Sequence, residues 1–196
     1  MAPARGRLIA VEGIDGAGKT TLAEGLSRAR PELVVLREPG GAAVSERIRS
    51  LVKDPALEVS PRAEALLYAA ARAELVSAKL LPLLDAGTTV VLDRYVDSSL
   101  AYQGAGRELG VAEIAALNAF ATGGLVADLT LYLRVPPAVG AARRGGEDRL
   151  ERAGEAFFAR VVDAYDALAA ATDRYVVLDG TRAPDAVLAD ALKHLQ

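Results

Sequence analysis

"GIDGAGKTT", running from Gly13 to Thr21, contains three glycines and the first of only four lysines in a chain that carries nineteen arginines. The spacing explains that lysine: Gly13, four residues, then Gly18, Lys19 and Thr20 match the GxxxxGK[ST] pattern of a phosphate-binding loop. Glycines let backbone N–H groups turn inward around an anion, and a helix starting near Lys19 adds the positive end of its dipole. A compact ammonium on a flexible stem can follow a phosphoryl group as it moves, which a planar guanidinium does less well. The expected ATP contacts are therefore Gly13, Ile14, Asp15, Gly16, Ala17, Gly18, Lys19, Thr20 and Thr21, with the Thr20 hydroxyl directed at Mg²⁺. The apolar run Arg7 to Glu12 before the loop and the helical pattern Lys19 to Ala29 after it supply the strand–loop–helix setting that this chemistry requires.

The same alternation continues outward. Leu33 to Arg37, Thr88 to Asp93, Leu129 to Val135 and Tyr175 to Asp179 read as four further buried strands. Helical spacing covers Val44 to Val52, Pro61 to Ala86, Val111 to Ala121, Pro136 to Arg143, Glu151 to Ala171 and Ala183 to Leu195. Strand and helix in strict alternation predict an α/β protein: a three-layer, P-loop NTP hydrolase-like fold with a five-stranded parallel sheet flanked by helices. Ligands of such sheets bind beyond the carboxyl ends of the strands, so the stretches GIDGAGKT, EPGG, RYVDSS and DGTRAP become the candidate site. No linker interrupts the 196 residues, which are read as one domain with a mobile lid at about 143–152.

Composition narrows the chemistry. The chain is 52% hydrophobic and 25% charged with a net charge of −3, which favours neither a nucleic-acid partner nor disorder. It has no cysteine and a single histidine, His194, near the C-terminus, which leaves out thiolate zinc sites and histidine-centred catalysis. No apolar run approaches membrane-span length, and the opening MAPARGRL lacks the apolar core of a secretory signal, so the expected location is the cytoplasm.

The strand-end loops carry arginines: Arg37, Arg94, Arg143, Arg144, Arg149 and Arg182, with Arg72 on the long helix. Such a set suits phosphoryl transfer between two anions, an ATP terminus and an acceptor phosphate, because guanidinium forks bind phosphate bidentately. A GTPase would show an [NT]KxD segment, and none of Lys53, Lys79 or Lys193 sits in one. Asp93, closing the apolar run TTVVLD, is the candidate carboxylate for a Mg²⁺-bound water. Tyr68 and Arg72 lie four apart on one helical face among alanines, an aromatic surface and a fork that suit a pyrimidine. A deoxynucleoside kinase and a regulatory nucleotide binder remain rival readings; paired strand-end arginines oppose the first, and intact Lys19, Thr20 and Asp93 oppose the second.

Across nearly its whole length the sequence resembles the thymidylate kinase family of nucleoside monophosphate kinases. The resemblance rests on "EGIDGAGKTT", "REPGG" at Arg37 to Gly41, "LLYAAARAELV" at Leu66 to Val76, "DRYVDSSLAYQG" at Asp93 to Gly104 and "DRLE" at Asp148 to Glu151. It implies transfer of the γ-phosphoryl of MgATP to dTMP, catalysed through Lys19, Arg94 and Arg149, with Arg143 and Arg182 on the ATP side. It also implies that Asp15 meets the sugar 3′-hydroxyl and that Arg37 and Arg94 meet the dTMP phosphate. Tyr68 would stack on thymine, Arg72 would bond its carbonyl edge, Ser98, Ser99 and Gln103 would line the pocket, and Tyr102 would lie under the deoxyribose. Thr20 and Asp93 would serve the metal, and the chain would form a homodimer. Three positions depart from the family's habit: Ala42 for threonine, Tyr68 for phenylalanine and Ala71 for aspartate.

Overall fold

The computed structural model describes residues 4–143 and 154–195. Strand β1, Leu8–Glu12, is buried at every position and lies at the centre of a five-stranded sheet. Its neighbours are β3, Val90–Asp93, and β4, Leu129–Arg134, with Ile9 opposite both Val91 and Leu129. Outside these run β2, Val34–Arg37, and β5, Tyr175–Asp179, giving the order β2-β3-β1-β4-β5 with every pair parallel. The sequence-based expectation of an α/β P-loop fold with five parallel strands is met.

Alternation along β1 splits the core into two layers, because successive side chains of a strand face opposite ways. Ile9 and Val11 join Leu22 and Leu26 of helix α1 (Lys19–Ala29), Phe158 and Val161 of α8 (Glu155–Ala170), and Val187 of α9 (Pro184–Leu192). Leu8 and Ala10 face the other way, onto Leu75, Leu80 and Leu84. Those leucines belong to α3 (Pro61–Leu75), a π-helical turn at Val76–Leu80, and α4 (Leu81–Asp85). The sequence pattern predicts one helix from Pro61 to Ala86; the widened turn precedes Pro82, whose ring excludes the regular bond to the carbonyl four residues back. Helix α2, Ala43–Lys53, packs beside α3, and α7, Pro137–Arg143, follows β4.

The larger departure follows β3. RYVDSS reads as a polar loop, yet the chain coils at once into α5, Val96–Ser99, and a π-helical stretch, Leu100–Gly106, before α6, Val111–Thr122. This segment is buried on nearly all sides, including Ser98, Ser99, Tyr102 and Gln103, so it lacks the one-sided apolar stripe that marks a helix in sequence. The remaining differences are end effects, among them that β3 begins at Val90 rather than Thr88, α8 begins at Glu155 among the described residues, and α9 stops at Leu192 rather than Leu195.

The chain runs to one side of β1 for β3 and β2 and to the other for β4 and β5. Its connections diverge over the carboxyl end of β1, which opens a crevice where the glycine loop begins.

Candidate active site

The crevice is a cleft of about 1220 Å³ bordered by the glycine loop, the ends of β2 and β3, α3 and the helical segment after β3. Two backbone features shape its floor. Gly13 has φ 139°, and a Cβ there would stand 2.6 Å from the Leu133 carbonyl oxygen; Gly16 has φ 81°, and its Cβ would stand 2.4 Å from that of Gly140. Only glycine allows both the positive φ and the approach of the loop to β4 and α7. Lys19 opens α1, is buried, and folds back so that Nζ donates to the Ile14 carbonyl at 2.9 Å. Burial, reinforced by the Arg94 charge, lowers the ammonium to about 8 against the opposing pull of Asp15, Asp93 and Glu12. Thr20 donates its hydroxyl to Asp93 Oδ2 at 2.8 Å, which joins the start of α1 to the end of β3.

Arg94 ties the loop to β3. Its Nη1 donates to the Gly13 carbonyl at 3.1 Å and to Ser98 Oγ at 3.0 Å; its Nη2 donates to Asp15 Oδ1 at 2.6 Å and to Tyr102 Oη at 3.2 Å. The guanidinium also lies 4.9 Å from the centre of the Tyr102 ring. Its backbone is left-handed, φ 71°, an uncommon conformation for a residue with a Cβ and one found where a site requires strain. Burial pushes the Asp15 carboxyl up, but the Arg94 and Lys19 charges and the Tyr102 hydroxyl outweigh it and hold the group well below the usual carboxylate range.

Glu12, the last residue of β1, organises the same corner from beneath. Oε1 accepts the N–H groups of Tyr95 (2.7 Å) and Ser98 (3.2 Å), and Oε2 accepts the hydroxyls of Ser98 and Tyr165, both at 2.7 Å. A carboxylate from one strand thus caps the helical segment that follows another, and it fixes the serine that Arg94 bonds. Burial and the Asp97 charge raise the Glu12 carboxyl against these bonds and the Arg94 charge.

On the far side Arg37 is exposed, with Nη2 3.4 Å from Glu46 on α2, while Tyr68 is half-buried and packs on the core layer beneath. Arg72 is enclosed and bonded to Glu38, Ser99, Asn118 and the Tyr95 carbonyl. Gln103 donates to the buried Glu64 at 2.8 Å. Arg182 faces Asp190 at 2.5 Å, and Arg143 donates to the Gly180 carbonyl at 2.8 Å, so both stand at the β5 end of the cleft.

Most of the candidate residues read from sequence therefore border one cleft. Gly13 and Ile14 do not line it; they act through their carbonyls, one bonded by Arg94 and the other by Lys19. Arg149, with Arg144 and the rest of the lid from 144, lies outside the described residues. Sequence reasoning passes over Arg49, which borders the cleft from α2, donates to the Pro39 carbonyl at 2.8 Å, and is drawn below its usual value by burial and by the Arg37 charge. It also assigns nothing to Glu12, Glu38, Glu64 and Asn118. Glu12 and Glu38 lie within the quoted motifs EGIDGAGKTT and REPGG, and a charged residue at the end of an apolar strand was the available signal; Arg49 and Asn118 look like ordinary helix-surface residues.

A glycine loop leading from the central parallel strand into a helix, with Lys19 and Thr20 at the helix start and an aspartate on the adjacent strand end, places the chain among the P-loop nucleotide-binding proteins. The family model for thymidylate kinase matches residues 11–191, and the chain belongs to that family. It is 47% identical over 194 residues to a thymidylate kinase of Deinococcus radiodurans, across 95% of this chain and 94% of that one. To thymidylate kinases of Lactobacillus delbrueckii subsp. bulgaricus and Carboxydothermus hydrogenoformans it is 45% identical over 201 residues and 43% over 190, in each case across 93% or more of both chains.

Proposed function

We propose that this protein phosphorylates dTMP with ATP, yielding dTDP and ADP. The observation that carries the reading is the single cleft in which the phosphate loop and the Tyr68–Arg72 face of α3 open toward each other, with Arg37, Arg49 and Arg94 between them. The ATP phosphates would lie on the loop amides and Lys19, with Arg143 and Arg182 at the outer end. The acceptor phosphate would meet Arg37 and Arg94, Asp15 the sugar, Tyr102 its underside, and Tyr68, Arg72, Ser98, Ser99 and Gln103 the base.

An acceptor phosphate is already ionised near neutral pH and needs no general base. Catalysis on this reading is positioning and neutralisation of charge by Lys19 and the arginines, Arg149 of the lid among them, in a site from which water is excluded. The Thr20 hydroxyl and the Asp93 carboxylate, 2.8 Å apart, are hard oxygen donors that fit Mg²⁺. Among the described residues there is no group of three or more His, Cys, Asp or Glu side chains that could hold a metal; waters and substrate phosphates would complete the shell of a Mg²⁺ ion held by Thr20 and Asp93. When bound, Mg²⁺ would neutralise charge on the transferred phosphoryl group. The same reading takes the chain as one domain with a lid at about 143–152, in the cytoplasm and acting on small molecules rather than on nucleic acid or membrane. It includes a homodimer, as the family resemblance implies; Phe120 on α6 is an exposed aromatic side chain. Among the described residues no helix is long and apolar enough to cross a membrane.

The test is ADP release with ATP and each of several monophosphates. The expected order is dTMP, then dUMP within about 1–3 kcal/mol because only a methyl group is lost, with dCMP and ribonucleotides far behind. Equal use of all of them, or none of dTMP, would overturn the reading.

A further inference from the structure

The Arg72 guanidinium has five N–H groups, and four hydrogen bonds together with an ion-pair contact to Glu38 engage all three of its nitrogens. Nε and Nη2 meet a single atom, Glu38 Oε2, at 2.7 and 2.6 Å, and Nη2 also donates to the Tyr95 carbonyl at 3.0 Å. Nη1 donates to Ser99 Oγ at 2.9 Å and to Asn118 Oδ1. A ligand carbonyl can bond this arginine only if one of these acceptors withdraws.

They differ in their freedom to do so. The Tyr95 carbonyl is backbone, and Asn118 is held because its Nδ2 donates to the Ile114 carbonyl at 2.8 Å within α6. Glu38 is an ionisable partner clamped onto two nitrogens. Ser99 alone is a small rotor that also borders the cleft, so Nη1 is the donor available for exchange. Exchange at Nη1 keeps its direction only if the other edge of the guanidinium stays fixed. Glu38 supplies that anchor at a cost: it is buried, and its second oxygen, Oε1, has no hydrogen-bond partner among the described residues. An ion pair serving stability alone gains nothing from a desolvated, unsatisfied oxygen.

We propose that Glu38 is a positioning residue for base discrimination, holding Nε and Nη2 so that Arg72 presents Nη1 to the exocyclic oxygen of the acceptor pyrimidine as Ser99 gives up its bond. This rests on the reading of the chain as a dTMP kinase. An amino group at that ring position, as in dCMP, presents a donor to a fixed donor and is rejected.

The test compares kcat and KM for dTMP and dCMP in the wild type, Glu38→Gln, Arg72→Met and the double variant, with urea unfolding to confirm the fold of each. Glu38→Gln should raise the KM for dTMP about tenfold with kcat little changed and should lower the dTMP-over-dCMP preference by a similar factor, the worth of a charge-assisted bond. Arg72→Met should lower the preference at least as far, and adding Glu38→Gln to it should change the preference no further, since Glu38 acts through Arg72. If Glu38→Gln does not fold, Glu38→Asp, which keeps the charge but withdraws it by one methylene, is read in the same way. An unchanged preference in the folded Glu38 variant, a loss confined to kcat, or a further drop in the double variant would overturn the proposal while leaving a dTMP-active wild type, and with it the functional reading, intact. A wild type inactive on dTMP would overturn both.

Discussion

The two ends of the cleft hold their arginines in different ways. Arg94, at the phosphate end, is fastened largely to the glycine loop, through the Gly13 carbonyl and Asp15, and sits on a strained left-handed backbone. Arg72, at the base end, has an ordinary helical backbone, and its partners come from three separate stretches of chain: Glu38 after β2, Tyr95 and Ser99 after β3, and Asn118 on α6. The phosphate end therefore relies on backbone geometry and a compact charge cluster, where a neighbouring anion can be accommodated by small changes. The base end relies on saturated, directional bonds, where the penalty for a mismatched ligand is a buried donor left unpaired. One end suits the movement of charge and the other suits selection.

Lys19→Ala tests the phosphate end most severely. Turnover should fall by about a hundredfold to a thousandfold, as when a donor to developing charge is removed. Because Lys19 is a buried, desolvated cation, the urea midpoint should not fall with it. Near-normal kcat in the folded variant would remove lysine from the comparison.

The base end should report itself through pH. Burial raises the Glu38 carboxyl from 4.5 to about 7 against the lowering effect of Arg72, with the Glu12 charge adding to the rise. A carboxyl whose folded value exceeds its unfolded value binds more protons in the folded state, so its contribution to stability falls as pH rises from about 4.5 to about 7. The effect is at most about 3 kcal/mol across that window, and Glu38→Gln should abolish it. Asp15, held low, acts with the opposite sign: its stabilisation is present above the ordinary aspartate value and is lost on acidification. Parallel stability curves for wild type and Glu38→Gln between pH 4.5 and 7 would remove the contrast between the two ends.

Arg94 separates charge from strain. Arg94→Ala and Arg94→Gly should both raise the KM for dTMP about tenfold or more, the worth of a charge-assisted bond. Glycine at φ 71° should nevertheless give the more stable protein of the two, by about 1 kcal/mol. Equal stabilities would mean that the backbone there is relaxed.

The smallest effect concerns neither end directly. Ala42, the N-cap residue before α2, has extended backbone and no side-chain cap, although Glu46 accepts the Gly41 N–H at 2.9 Å. Ala42→Thr should stabilise the protein by about 1 kcal/mol, measured by urea unfolding, without changing turnover.

How much of this was legible in the sequence follows the same division. The phosphate loop is a contiguous motif whose glycines, lysine and threonine act within a few residues of one another, so residue order alone located Lys19, Thr20 and the start of α1 at Lys19. The five strands were equally visible, because burial on both faces demands continuous apolar runs. The helix after β3 was not. It is enclosed on nearly every side and carries polar residues inward, so its sequence has neither an apolar stripe nor a side-chain cap of its own, and its first N–H groups are satisfied by Glu12 from another strand. The motif placed Arg72 at the site but could not say that all three of its guanidinium nitrogens would be engaged, nor that Glu38 and Asn118, 34 and 46 residues away along the chain, would engage them. Short-range backbone geometry and apolar period were determined by the sequence alone. The saturation of a buried guanidinium was decided only by the tertiary structure, because it depends on which distant acceptors arrive within hydrogen-bond length, a property that no local pattern of residues encodes.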